Sequence, residues 1–432
     1  MNNLQYNKLY KTKKNLNRLH RSGDEQMSKT TNNIEFIVNG KYDAKQERCA
    51  EFLSVEQLKK VRHIHNSIPD CKATPLVQLK SLSEYLGVKS ICIKNESQRG
   101  DINSFKILGA TYAIAKLVCD KLGLDVGNVT FDYLKSESIH SKIKDMTLAT
   151  CSDGNHGRGV AWTAKQLGLK AIIYMPKGTV ESRVKNIEAL GATVTVTEFN
   201  YDDTVRYANK MATENNWYIV QDTSWEGYEE VPKTILQGYS TMGMEAIEQL
   251  EAAGFKKPTH LFVQAGVGAM ASGVTGAISN YYNGDMPTTL IMEPKNAACY
   301  FKSGEMNDGT AYTVGGSLDS IMAGLACGEP VPAGWEIIRN FATGFCKCAD
   351  SVTATGMRIL GNPIGEDERI ISGESAAIGA GVLSLLMTNP EYNSVKEKLG
   401  LNKDSVVLMF STEGDTDPVN YRDIVWNGAY SL

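Results

Sequence analysis

Three stretches of this chain place unusual residue types where chemistry is possible. In "NSFKILGA", Asn103 to Ala110, Lys106 sits among Phe105, Ile107, Leu108, Gly109 and Ala110. A lysine with so little polar company reads in two ways. Its stem can lie along apolar surface with the ammonium in water. Alternatively the whole side chain is desolvated, which lowers its pKa and exposes a neutral amine able to attack a carbonyl and form a Schiff base. In "SDGNHGRG", Ser152 to Gly159, the polar residues Ser152, Asp153, Asn155 and His156 crowd together with Gly154, Gly157 and Gly159. A helix N-cap needs only one such residue, so the surplus points to a loop that grips a ligand. The third stretch is "GVGAMASG", Gly266 to Gly273. Small residues let a backbone close on a ligand, and the unpaired amides of a helix start favour a phosphate. The same stretch also reads as a plain tight strand–helix turn. With Gly266, Gly268, Ala271 and the strand-end Glu293 it further fits a dinucleotide fingerprint and a nucleotide-dependent oxidoreductase.

All three stretches lie where a short apolar run gives way to a 3.6-period segment. The sequence predicts strands at 90–95, 147–152, 170–176, 192–198, 217–222, 259–266, 288–294 and 405–414. It predicts helices over 104–123, 155–168, 180–191, 202–216, 233–253, 269–282 and 372–388. Alternating strands and helices, with the strands apolar throughout, mean parallel sheets covered on both faces. Ligands of such folds collect beyond the carboxyl ends of the strands. Residues 124–146 lack this rhythm and read as an insertion. "TSWEGYEEVP" (223–232) reads as a linker.

Composition narrows the field. The chain has 432 residues, 42% hydrophobic and 22% charged, with a net charge of −4. That is globular composition with material for a large core, and it suggests neither nucleic acid nor an acidic membrane as a partner. No apolar run reaches the length of a membrane span. The nine cysteines are odd in number and lack zinc-binding spacing, which reads as reduced thiols in a cytoplasmic protein. Cys299 and Cys327 flank a glycine-rich stretch; they could pair under oxidation, with free thiols the preferred reading. No His/Asp/Glu spacing argues for a metal. Residues 1–26 are basic and are expected to be a disordered tail.

Taken together, the three stretches resemble the fold-type-II family of pyridoxal-phosphate enzymes, the group of threonine dehydratase, threonine synthase and the tryptophan synthase β chain. "NSFKILGA" resembles that family's Schiff-base segment, "SDGNHGRGVA" its Ser-x-Gly-Asn-His loop and "GVGAMASGV" its glycine phosphate cradle. "ATPLVQL" (73–79) and "IKNESQ" (93–98) resemble two further family segments, and Glu293-Pro294 a strand-end pair without a nucleotide role. The resemblance implies an α/β fold of two lobes, each with a mostly parallel sheet covered by helices, and pyridoxal 5'-phosphate in the cleft between them. The large lobe would comprise 27–106 plus 226–432, and the small inserted lobe 107–225.

For individual residues the resemblance implies the following. Lys106 carries the cofactor and then acts as a base. Gly266, Val267, Gly268, Ala269 and Met270 hold the phosphate, and Asn155 faces the cofactor's 3′-oxygen. Ser152, Asp153 and Gly154 bind the substrate, with amides of Ser152 and Gly154 on its carboxylate. In "STEGDTDP" (411–418), Ser411 or Thr412 meets the pyridine nitrogen. Asp153 is read as holding a β-ammonium group or as a second base on the face opposite Lys106. Glu374 is read either as a neighbour of the ring or as a helix cap, and His156 as a hydrogen-bonding group of the loop. "DGNHGRGVAW", "IMAGLACGEP", "GMRILGNP" and "IISGES" resemble the branch of ammonia-lyases acting on small diamino acids. The implied reaction is α,β-elimination of D- or L-2,3-diaminopropionate to pyruvate and two ammonia by a homodimer. A threonine or serine dehydratase is the alternative.

Overall fold

The structure, a computed structural model, describes residues 33–42 and 51–432, so the basic stretch 1–26 lies outside it. Among the described residues the strands are β1 (Ile34–Val38), β2 (Leu76–Gln78), β3 (Ser90–Asn95), β4 (Thr147–Cys151), β5 (Lys170–Met175), β6 (Thr193–Val196), β7 (Tyr218–Ile219), β8 (His260–Gln264), β9 (Thr288–Pro294), β10 (Gly344–Cys348) and β11 (Val406–Ser411). Seven of them form a sheet in the order β1-β10-β9-β8-β11-β3-β2, and four form a second in the order β6-β5-β4-β7. The second sheet is parallel throughout. The first is parallel except at its edges, where β1 runs against β10 and β2 against β3. An antiparallel neighbour needs no crossover connection, whereas a parallel one does. β3, β8 and β11 are buried at every residue, as strands covered on both faces must be.

Two helices explain how the sheets are held near each other. Lys106–Leu122 buries Ile107 through Ala115 without interruption, so it is a core helix rather than a surface one. Asn155–Leu167, which leaves the second sheet at β4, crosses it closely. A Cβ on Gly159 would come 2.9 Å from the carbonyl oxygen of Lys106, a distance that only glycine permits.

Some boundaries differ from the sequence reading. Residues 124–146 fold into short helical turns, including Phe131–Leu134 and Glu137–Ile143, which bury Phe131, Leu134, Ile139 and Ile143. Turns of four to seven residues are too short to show a period. The late helix starts at Ile378, not near 372. The backbone of 373–375 is committed elsewhere: Gly373 N–H donates to Glu413 O at 3.0 Å and Ser375 N–H to Glu413 Oε1 at 3.2 Å. No helix among the described residues is long and apolar enough to cross a membrane.

Candidate active site

β8 ends at Gln264, and the chain then turns through Gly266-Val267-Gly268 into the helix Ala269–Tyr281. Gly268 has φ 88°, and a Cβ on it would lie 2.0 Å from Tyr300 Oη. Tyr300 Oη also donates to Val267 O at 2.9 Å, so this ring supports the turn from behind. The first amides of a helix have no acceptor within it. Along this turn the next amide to find one is that of Ser272, which donates to Gly268 O at 2.9 Å. The backbone from Gly266 to Ala271 lines a pocket together with Phe105, Lys106, Asp153, Asn155, Gln264, Thr412 and Glu413. Lys106, Asp153, Val267 and Gly324 also line a cleft of about 590 Å³ that includes Arg183, Tyr201 and Asp222 in its walls.

Lys106 lies at the junction of the two cavities, with 16% of its side chain exposed. Its Nζ is 5.4 Å from the centroid of the Phe105 ring and 5.7 Å from that of Tyr239, which is the apolar setting its sequence suggested. The expected fall in its pKa is not what the site produces. Burial pushes the ammonium down, but the Asp222 carboxylate at 2.6 Å, with Tyr239 and Asp153 beyond, outweighs burial and holds the pKa above the usual lysine value. Burial likewise opposes ionisation of Asp222, yet His156 and Lys106 bring its carboxyl down to about 2. Asp222 closes the predicted run "WYIVQD". Its position beyond the carboxyl end of a parallel strand was the only signal for it in the sequence.

The Ser152–Gly159 loop divides its labour. Ser152 Oγ accepts from Gly154 N–H at 2.9 Å and Gly157 N–H at 2.8 Å, so its hydroxyl takes the amide of the N-cap residue Gly154 and one of the first helical turn. Ser152 N–H donates to Tyr174 O at 2.9 Å. The amides expected to meet a carboxylate, those of Ser152 and Gly154, are therefore consumed inside the loop and strand edge. The amides of Asp153, Asn155 and His156 are its remaining donors. His156 Nε2 sits 2.7 Å from Val220 O, a structural bond as the sequence reading had it, with Nδ1 3.7 Å from Asp222.

At the far end of β11 the two hydroxyls separate. Thr412 lines the pocket, and its Oγ1 accepts from Gln264 Nε2 at 3.1 Å. Ser411 Oγ donates to Ser372 Oγ at 2.9 Å, away from the pocket lining. Glu413, which the sequence reading passed over, enters the pocket and accepts from Asn155 Nδ2 at 2.5 Å. Glu374 is buried beside Asn420 rather than in that pocket, and burial, then Glu413, pushes its carboxyl up to about 7. Glu293 is no ribose acceptor: its two oxygens take the amides of Tyr300 at 2.8 Å and Phe301 at 2.7 Å at the start of the helix Cys299–Met306. The oxidoreductase reading loses its acid there. Cys299 and Cys327 are both free thiols.

The donor set fits pyridoxal phosphate. The pocket holds one amine for an aldehyde, a glycine turn with free amides for a phosphate, and polar side chains (Asn155, Thr412) around the space between. Tyr239 Oη and His156 Nδ1 are also buried without a hydrogen-bond partner. Residues 69–411 match the family model described as "Pyridoxal-phosphate dependent enzyme", and the chain belongs to that family. It carries that family's fold-type-II architecture and its cofactor. Within the family it is 52% identical over 379 residues, 88% of this chain and 94% of the other, to the diaminopropionate ammonia-lyase of Escherichia coli (strain K12). To the Salmonella typhimurium enzyme of the same name it is 48% identical over 365 residues, 84% of this chain and 90% of that one. The crystal structure of the holo E. coli enzyme superposes with a TM-score of 0.86 at 48% identity, covering 92% of this chain and 98% of that chain. The E. coli enzyme has also been solved with an aminoacrylate-PLP azomethine reaction intermediate.

Proposed function

We propose that this chain is a carbon–nitrogen lyase that converts 2,3-diaminopropionate and one water to pyruvate and two ammonia, accepting both the D and L forms. The observation that carries the reading is one pocket, in which Lys106, the Gly266–Met270 turn, Asp153 and Asn155 converge, within a chain so similar to the E. coli and Salmonella enzymes over most of its length. A threonine or serine dehydratase activity is the less supported alternative.

When bound, pyridoxal phosphate supplies an electron sink that acidifies the substrate Cα–H. The amides of Gly266–Met270 would hold its phosphate, Lys106 would anchor it covalently, Asn155 would meet its ring oxygen and Thr412 rather than Ser411 its nitrogen. The Asp153, Asn155 and His156 amides take the substrate carboxylate. Lys106 removes the Cα proton on one face, and Asp222, 2.6 Å away, stabilises the ammonium that results. Asp153 serves the opposite face. Departure of the β-nitrogen as ammonia needs a proton, and the Lys106 ammonium has one to give. The segment 107–225 forms a lobe that closes over the cleft against the described parts of 27–106 and 226–432. The enzyme works as a cytoplasmic homodimer in amino-acid catabolism.

The test is purification followed by a substrate panel. The protein should be yellow, bleach with borohydride, and release pyruvate and ammonia in a 1:2 ratio from diaminopropionate. A colourless protein, or one turning over threonine or serine faster than either diaminopropionate isomer, overturns the reading.

A further inference from the structure

Glu413 is a buried acid that no step of this reaction uses, yet its contacts run to three segments around the pocket. Its backbone bridges Ser104, two residues before Lys106. Its Oε1 accepts from Ser375 N–H at 3.2 Å, and Ser375 Oγ in turn accepts from Gly324 N–H, in the wall of the cleft, at 3.0 Å. Its Oε2 accepts from Asn155 Nδ2 at 2.5 Å. A primary amide can be turned by half a revolution, exchanging donor for acceptor, and its neighbours select the orientation. At Asn155 both neighbours select the same one. Arg158 Nη1, a donor only, lies 3.5 Å from Oδ1, and the Glu413 carboxylate takes Nδ2.

We infer that Glu413 is the positioning residue that fixes the Asn155 amide, leaving the second N–H of Nδ2 for the ring oxygen of the bound cofactor. The inference rests on the cofactor reading above. Its physical basis is the count of acceptors. A carboxylate can accept at both oxygens, so it satisfies Ser375 N–H and Asn155 Nδ2 together. A glutamine of the same shape has one accepting and one donating end, so one of the two donors must face a donor. The Asn155 amide then loses its partner or turns over. A hydrogen bond to the ring oxygen favours the ionised oxygen, so its loss shows in the colour of the holoenzyme as well as in rate.

The experiment compares holoenzymes of wild type, Glu413→Gln, Asn155→Ala and the double variant by cofactor content, pH titration of the visible absorption, and kcat and KM. Glu413→Gln and Asn155→Ala should move the titration midpoint in the same direction, by at least about half a pH unit. Both should lower kcat by about ten- to a hundredfold, the scale of a misplaced group, with KM changed far less. The double variant should be no worse than the single ones, because both remove one interaction. A Glu413→Gln titration identical to wild type, or single effects that multiply in the double variant, overturns the inference. Should Glu413→Gln fail to fold, Asn155→Asp gives a second route. It removes the Nδ2 N–H and sets a carboxylate against Glu413, so it should weaken cofactor binding and shift the titration midpoint. Adding Glu413→Gln to it restores a donor–acceptor pair and should recover folded stability while the midpoint stays shifted, because a carboxylate has no N–H for the ring oxygen. A wild-type midpoint in Asn155→Asp overturns the inference. A wild-type protein without borohydride-reducible colour instead removes the cofactor reading itself, so the two failures are distinct.

Discussion

Two lysines of this chain sit in apolar sequence and end beside carboxylates, yet only one faces a cavity. Lys94, in β3, is fully buried, and its three donors are spent on Thr74 O at 2.6 Å, Gln249 Oε1 at 3.0 Å and Glu245 Oε2 at 2.7 Å. Arg99 shares Glu245 at 2.6 Å and takes Glu96 at 2.8 Å, and Thr74 Oγ1 closes the ring on Glu96. Burial, the largest influence, leaves the Lys94 pKa below the usual value despite Glu96 and Glu245, with Arg99 as a like charge close by. Lys106 donates to Asp222, and the rest of its ammonium faces the cleft. A closed network, in which each charge is matched, leaves no group to meet a ligand. Chemistry needs an incomplete one, with groups left facing the space a ligand takes.

The largest effect that would break this contrast belongs to Lys106→Ala. Turnover should fall by at least about 10³-fold, because the covalent anchor and the proton-transfer group go together. The phosphate turn should still hold some cofactor, without the borohydride-reducible band. Steady-state rates within tenfold of wild type would remove Lys106 from the chemistry. Glu245→Gln should act in the opposite register. Leaving Lys94 and Arg99 short of a charge should cost about 3–5 kcal/mol of stability in urea unfolding. The visible spectrum of the folded holoenzyme should stay as in wild type. An unfolding midpoint equal to wild type would show that the network is dispensable.

Asp153→Asn keeps size and hydrogen bonding but removes basicity. If Asp153 is the base for the face opposite Lys106, D-isomer turnover should fall by about 10²-fold and L-isomer turnover much less. Equal losses would assign it to the β-ammonium group common to both isomers. The smallest effect sharpens the contrast between acids. Cations hold the Glu245 carboxyl below its usual range against burial, whereas burial and Glu413 hold Glu374 up at about 7. A carboxyl raised on folding contributes stability that is fully present below its unfolded value of about 4.5 and is lost as pH rises through about 7. Glu374→Gln should flatten that fall, gaining up to about 3 kcal/mol relative to wild type between pH 5 and pH 8 in denaturant unfolding. Parallel pH curves for the two proteins would show Glu374 ionised throughout.

The sequence by itself determined the α/β alternation, the strands that face apolar surroundings on both sides, and the three junctions that carry the site. Apolar runs of strand length and the glycines of tight turns are local, and local physics suffices to read them. Several of its element boundaries moved: at 124–146 and 372–377, where turns are too short for a period or the backbone is claimed by a distant residue, at 217–222, where the strand is only Tyr218–Ile219, and at Glu230, where a helix begins inside the stretch read as a linker. Tertiary structure alone decided which partners the charged groups meet. Lys106 and Asp222 are far apart in the chain, as are Asn155 and Glu413, yet they pair in space. No periodicity records a contact between segments brought together by packing. The same holds for the Ser152 and Gly154 amides, whose use inside the loop depends on where β5 runs. It holds for the two lysines as well. "SICIKN" and "NSFKIL" are equally apolar, and only the groups that the fold sets around each amine make one a strut and the other a reagent.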